Sequence, residues 1–242
     1  MITEITLTGL SLAAPVTMKM LLVFLVLFRG SSAMAEDLFG KVFVFPSVSA
    51  LPHVVLTPDK EGPFSAATVC LRSFTDNKGK TSFFSVATPS YDNAFLLYQP
   101  VKGTFRVHIN NKAHDFFDLP DHPHEWNSIC WTWEKSSGLT QVWVNGKRSL
   151  RVKMFSDDIL AEKLSIIIGQ EQDTFGGGFD ENQCFVGELS DVHMWDLVLD
   201  SCEIQNYMKM FSFTPGNVLN WRELTYKENN GVLVKENQSK DC

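Results

Sequence analysis

The sequence predicts an all-β chain, an antiparallel sandwich of two sheets carrying one short helix. Three observations carry that prediction. Short runs rich in β-branched and aromatic residues recur at intervals of about 8–12, separated by turn residues. The pair Asn145-Gly146 follows an alternating run, and both residues tolerate the positive φ of a tight hairpin turn. Only residues 201–210 show a helical apolar period. No internal repeat and no low-complexity linker interrupts the series, so one sandwich accounts for the chain.

The elements follow in order. Lys19 precedes nine apolar residues at 20–28, then Arg29 and an Ala33-Met34-Ala35 exit, the parts of a secretory signal peptide. The apolar run falls short of the roughly 20 residues that span a bilayer. It also lacks the amphipathic company of a buried N-terminal helix. Met18 or Met20 is a more natural start than Met1. Residues 1–35 are therefore expected to be an upstream extension and signal peptide that is removed, leaving 36–242 as the folded domain. Strands are predicted at 41–45 (KVFVF), 67–71 (ATVCL), 95–98 (FLLY), 104–109 (TFRVHI), 128–133 (SICWTW), 140–144 (TQVWV), 165–168 (SIII) and 186–195. The helix at 201–210 has Ser201 or Asp200 as its N-cap and an apolar stripe at Ile204, Tyr207 and Met208. Asn237-Gln238-Ser239 forms a glycosylation sequon, with Asn237 the acceptor.

Charge and cysteine content narrow the function classes. The formal charge is −7. Loss of Glu4, Lys19 and Arg29 with the leader moves it to about −8, and an acidic chain lacks the basic face that nucleic acid requires. With 44% hydrophobic and 12% aromatic residues, the chain can build a full core. All five cysteines lie after residue 35, and secretion permits disulfides. An odd number leaves at least one thiol free or paired between chains. Cys70 and Cys130 each sit in a short apolar run, which reads as a bridge between two central strands within one core. Cys242 ends the chain and is the candidate for an interchain link.

The chemistry concentrates in GQEQDTFGGGFDENQCFVGE, residues 169–188. A phosphate-binding P-loop needs a lysine after its last glycine, but Phe179 follows Gly178. A dinucleotide loop would open a helix, and residues 179–182 open none. The spacing of an EF-hand is absent as well. Oxygen density remains: Glu171, Gln172, Asp173, Asp180 and Gln183 offer the hard oxygen ligands that Ca²⁺ takes in groups of about 6–8. The glycines let the chain turn back sharply, so that Asp180 and Gln183 can approach Glu171 and Asp173. Apolar flanks at 166–168 and 185–189 would anchor both arms. The competing reading is a solvated polar loop.

Gly169-Gln-Glu-Gln-Asp-Thr-Phe-Gly-Gly177, with Phe185-Val-Gly-Glu188 and Met194-Trp-Asp196, resembles the pentraxin family. The resemblance extends through Phe43-Val-Phe-Pro46, Asp92-Asn93 and Asn217-Val-Leu-Asn-Trp221, and so covers the chain after its leader. It departs from the usual H-x-C-x-[ST]-W-x-[ST] signature, since the run here has Ser128 for the histidine and Lys135 for the final hydroxyl. Those positions support the fold, so the departure marks a divergent member.

The resemblance implies a jelly-roll, lectin-like sandwich and two adjacent Ca²⁺ ions per subunit. One ion would be held by Asp92, Asn93, Glu171, Asp173 and the main-chain carbonyl of Gln172. The other would share Glu171 and Asp173 and add Asp180 and Gln183. Asp92, Glu171, Asp173 and Asp180 carry the four negative charges that two such ions balance. The ions would take anionic oxygens from phosphocholine, phosphoethanolamine or acidic glycans on microbial or damaged-cell surfaces. Tyr98 matches an aromatic wall of the neighbouring ligand pocket. Arg106 falls where phosphocholine-binding members carry a small residue, and its guanidinium would disfavour a choline cation. The resemblance further implies a secreted innate-immune, acute-phase-type protein and a flat homopentameric ring. The face bearing the helix would recruit complement or immune receptors.

Other classes are weaker. A glycoside hydrolase needs two cleft carboxylates about 5–9.5 Å apart, and the candidate pair, Glu188 and Asp191, sits at a spacing that places them on opposite faces of a strand. Residues 121–125 (DHPHE) suggest zinc, but proline and a loop setting favour a solvated turn. A purely structural extracellular sandwich would need no calcium.

Overall fold

The structure, a computed structural model, describes residues 34–238. The leader through Ala33 and the terminal Cys242 lie outside the described residues. Fifteen strands are present among the described residues. They are β1 (Lys41–Phe45), β2 (His53–Thr57), β3 (Ala66–Phe74), β4 (Thr81–Ala87) and β5 (Phe95–Val101). Next come β6 (Thr104–Ile109), β7 (Lys112–Phe116), β8 (Trp126–Glu134), β9 (Leu139–Val144) and β10 (Lys147–Arg148). The last are β11 (Val152–Lys153), β12 (Ser165–Ile168), β13 (Gly187–Trp195), β14 (Thr225–Asn229) and β15 (Leu233–Glu236). One α-helix, α1 (Ser201–Met208), completes the set among the described residues.

The strands form two antiparallel sheets. The first runs β10-β9-β8-β3-β13-β1-β15, with β11 also paired to β9; the second runs β14-β2-β12-β4-β5-β6-β7. Neighbours in these orders are mostly distant in sequence, as in a jelly-roll sandwich. The inner faces interdigitate through large aromatics. Phe95 of the second sheet stacks on Trp131 of the first, with ring centroids 3.6 Å apart. Phe45 packs edge-on to Phe185, which in turn meets Phe83. Each such side chain buries roughly 150–250 Å², about 4–6 kcal/mol of transfer free energy at ~25 cal/mol per Å².

The central strands β3 and β8 are buried along nearly their whole length, because α1 covers the outer face of the first sheet. Ile204 and Tyr207 of α1 close a second, smaller apolar cluster with Trp143, Trp195 and Leu199. Buried Arg72 ties the helix down: it donates to Ser128 Oγ and the Tyr207 carbonyl and pairs with Asp191.

Cys70 and Cys130 stand directly opposite each other on β3 and β8 and form the disulfide, with Cα atoms 4.1 Å apart. The bridge links two central strands as expected. It lies in the cluster under α1, however, and not in the main core between the sheets. Cys184 is buried and free, and Cys202 is exposed and free.

Asn145 and Gly146, at φ 49° and 80°, turn β9 into β10 and set Val144 opposite Lys147, as the hairpin signal predicts. Asp200 is the N-cap of α1, accepting from the N–H groups of Cys202 and Glu203. The helix stops at Met208, two residues before the predicted end. Met210 adopts φ 58°, and its N–H and that of Phe211 close on the carbonyls of Tyr207 and Asn206. A left-handed residue with that bond pair terminates a helix, although glycine usually fills the position.

Candidate functional site

The site is built on β5, β6 and β7 of the second sheet, the corner before β5, and the long loop between β12 and β13. The corner comes first. The Asn93 N–H donates to Asp92 Oδ1 and to Asn111 Oδ1, and the Asn111 N–H returns to the Asn93 carbonyl. The Asp92-Asn93 pair is thereby fixed to the β6–β7 turn, where Asn110 and Asn111 both have positive φ.

That turn also sets a register. Ile109 lies opposite Lys112, which places Arg106 opposite Asp115, while Tyr98 of β5 lies opposite Arg106. Tyr98, Arg106 and Asp115 therefore form a row across three strands on the outer face of the sheet. The Arg106 guanidinium holds Asp115 in a two-point fork, Nε to Oδ1 at 2.6 Å and Nη2 to Oδ2 at 2.8 Å. Asp115 stays below its usual carboxylate range chiefly because of that bond. His108, two residues beyond Arg106, is pushed down to about 4 by burial and by Arg106, so its imidazole is neutral at physiological pH. Burial pushes the Tyr98 phenol up to about 12, against a lowering contribution from the Gln183 side chain.

The β12–β13 loop supplies the acids. At its base Phe185 donates to the Gly169 carbonyl. Gly169 sits at φ 92°, and a Cβ there would meet the Phe45 ring at 2.1 Å, so no other residue fits. At its tip Thr174 and Gly177 exchange both backbone hydrogen bonds, at 3.2 and 3.0 Å, so the chain doubles back between Asp173 and Asp180. Gln172 is fully buried; its side chain donates to the carbonyls of Ser85 and Ser165 and accepts from the Gly176 N–H. Its amide thus braces the loop, and only its main-chain carbonyl is left for the ligand role expected of it. Asp180 caps the short 3₁₀ turn Glu181–Gln183 through Asn182, and those bonds keep its carboxyl below the usual range.

These segments line one pocket of about 240 Å³, with Asn93, Tyr98, Arg106, Glu171, Asp173 and Gln183 in its walls. Lys80 and His108 line it too. Neither residue, nor Asp115, is among the site residues the sequence suggests. Burial pushes the Glu171 carboxyl up to about 7, with Asp173 and then Asp92 adding repulsion. Asp173 is raised by burial, Asp92 and Asp180.

The residues fit a hard cation by two observations. Asn93 Oδ1 and Glu171 Oε2 are buried without a hydrogen-bond partner, which is costly unless something else satisfies them. The acids beside them repel one another, which an added positive charge would relieve. The donors are carboxylate and amide oxygens, the set that suits Ca²⁺. Among the described residues no three His, Cys, Asp or Glu side chains close to metal-binding range. Two of the five donors expected for the first ion, Asn93 and the Gln172 carbonyl, are amide or carbonyl oxygens, which a cluster of acids and histidines does not include.

Comparison with known proteins identifies the family. The Pentaxin family model matches residues 41–236. The chain belongs to the pentaxin (pentraxin) family. It is 41% identical to C-reactive protein of Sus scrofa over 218 residues, 90% of this chain and 97% of that protein. It is 39% identical to serum amyloid P-component of Rattus norvegicus over 206 residues, 85% and 90% of the two chains. Among solved structures, a native heptameric SAP-like pentraxin from Limulus polyphemus superposes with a TM-score of 0.74 at 26% identity, covering 84% of this chain and 97% of that one.

Other sequence candidates in this pentaxin chain have structural duties. Asp121 accepts from Lys102 Nζ, Gln99 Nε2 and the Gly103 N–H, which clasps a loop to β5. Asp191 sits at a bulge in β13 and pairs with Arg72; it does not form a cleft pair with Glu188. Asn237 is half-buried just after β15, with its N–H on the Gly40 carbonyl, and Ser239 of its sequon lies outside the described residues. No helix among the described residues is long and apolar enough to cross a membrane.

Proposed function

We propose that this pentaxin is a secreted, calcium-dependent recognition protein and not an enzyme. It binds phosphate-bearing or anionic groups on microbial or damaged-cell surfaces and recruits complement or immune receptors. The observation that carries the reading is the pairing of two unsatisfied buried oxygens, on Asn93 and Glu171, with mutually repelling acids in one pocket. One Ca²⁺ would be held by Asp92, Asn93, Glu171, Asp173 and the Gln172 carbonyl. A second would share Glu171 and Asp173 and use Asp180 and Gln183. Bound calcium would supply open coordination positions that attract anionic oxygens. The chain's own part is to hold those donors on a braced loop beside Tyr98, which offers the rest of a ligand an aromatic wall.

Each site binds weakly, so useful affinity on a repeating surface comes from assembly. The chain is expected to leave the cell without residues 1–35 and to form a homopentamer. The Limulus relative is heptameric, and light scattering distinguishes five subunits from seven and from one. The decisive experiment is retention on phosphocholine, phosphoethanolamine and acidic-polysaccharide resins with calcium or with EDTA. Retention with calcium and release by EDTA is expected. Equal behaviour in both buffers refutes the reading.

A further inference from the structure

We propose that the pocket beside the acid cluster is a second anion subsite, formed by Arg106 and Lys80. It selects ligands that carry two anionic groups over ligands that carry a quaternary ammonium. The inference rests on the calcium reading for the first of those groups.

The geometry begins with Arg106. Its fork to Asp115 uses Nε and Nη2, which leaves the Nη1 amino group outside the ion pair. The fork also fixes the guanidinium plane, so its remaining donors are already oriented and little side-chain entropy is lost when they bind. The side chain is 38% exposed and lines the pocket between Tyr98 and His108. Asp115 has both oxygens committed to Arg106, so it is a poor acceptor for an incoming ammonium. Lys80 reaches the pocket from the β3–β4 connection. Among the described lining residues, Arg106 and Lys80 carry fixed positive charge, that of Arg106 partly offset by Asp115. A trimethylammonium group placed against Tyr98 would face the guanidinium across one strand spacing. A carboxylate or second phosphate there would instead accept charge-assisted bonds from Nη1 and from Lys80.

Titration calorimetry in calcium tests this with three probes: glycerol 3-phosphate, phosphocholine and 3-phosphoglycerate, which adds a carboxylate to the phosphate. The expected result is that 3-phosphoglycerate binds about tenfold tighter than glycerol 3-phosphate, the order of one charge-assisted hydrogen bond. Phosphocholine should bind no better than glycerol 3-phosphate. Arg106→Gln and Lys80→Gln should each lower the ratio of 3-phosphoglycerate to glycerol 3-phosphate affinity measured within the same variant, and the double variant should bring that ratio close to one. Calcium-dependent glycerol 3-phosphate binding with no preference for the carboxylate-bearing 3-phosphoglycerate overturns this inference alone. A preference that survives both substitutions does so too. If no probe binds in a calcium-dependent way, the metal reading fails and takes the second subsite with it.

Discussion

Replacing Glu171 by glutamine is expected to stabilise the calcium-free protein and to abolish its response to calcium. Glu171 is 3% exposed, and burial raises its carboxyl pKa to about 7 against an ordinary 4.5. Between those values the folded chain holds a proton that the unfolded chain has released. Folding stability therefore falls as pH rises from about 4.5 through 7, and the loss is complete above 7. At about 1.4 kcal/mol per pH unit between the two values, the penalty reaches roughly 3 kcal/mol at pH 8. For a domain of this size that corresponds to roughly 6–12 °C in Tm. Glutamine keeps the shape and removes the charge. In EDTA at pH 8 the variant should melt higher than the parent by that order, and at pH 4.5 the two should melt together. Calcium at a hundredfold excess over Kd would raise the parent by about 2.7 kcal/mol, whereas the variant should gain little. Calorimetry with and without calcium at both pH values reads all four states. A variant that melts at or below the parent in EDTA at pH 8, or that keeps the full calcium shift, refutes the reasoning.

Gly169→Ala should cost about 2–5 kcal/mol, from a left-handed backbone and the collision with Phe45; a melting change under about 1 °C would show that the loop base is not held closed. Met210→Gly should raise the unfolding free energy by about 1 kcal/mol, read as a higher denaturation midpoint, because Met210 is left-handed and 66% exposed. A lower midpoint would mean the exposed side chain has a packing role. Chelation should make residues 176–178 more sensitive to protease, since the acids at 171, 173 and 180 then repel across the tip. Equal cleavage with calcium and with EDTA would count against a metal bridging the loop.

Much of this was legible in the sequence, and its limits are physical. Strands that alternate or run apolar, such as β1, β6 and β12, announce themselves because their side chains meet the core at period two. Strand β7 did not, since KAHDF has only Phe116 buried. It is an outer strand whose place comes from pairing with β6. Its one local signal was Asn110-Asn111, a two-residue turn that, once read as such, sets Arg106 against Asp115.

The acids at 171, 173 and 180 and the glycines between them were fixed by local chemistry. Oxygen ligands and permissive backbone are properties of residue type, so the sequence alone pointed to the sandwich and to oxygen donors in this loop, and its motifs carried the resemblance that gave the family and the proposed metal set. The disulfide partners were likewise readable, but their burial under α1 was not. Sequence also could not show that Asp115 occupies Arg106, that Lys80 enters the same pocket, or that the Gln172 amide is spent on Ser85 and Ser165. Those facts depend on strand register and on which loops meet, and register is a contact between residues far apart in the chain. Tertiary structure alone decided them, because charges and hydrogen bonds act over a few ångströms of space whatever the distance along the chain.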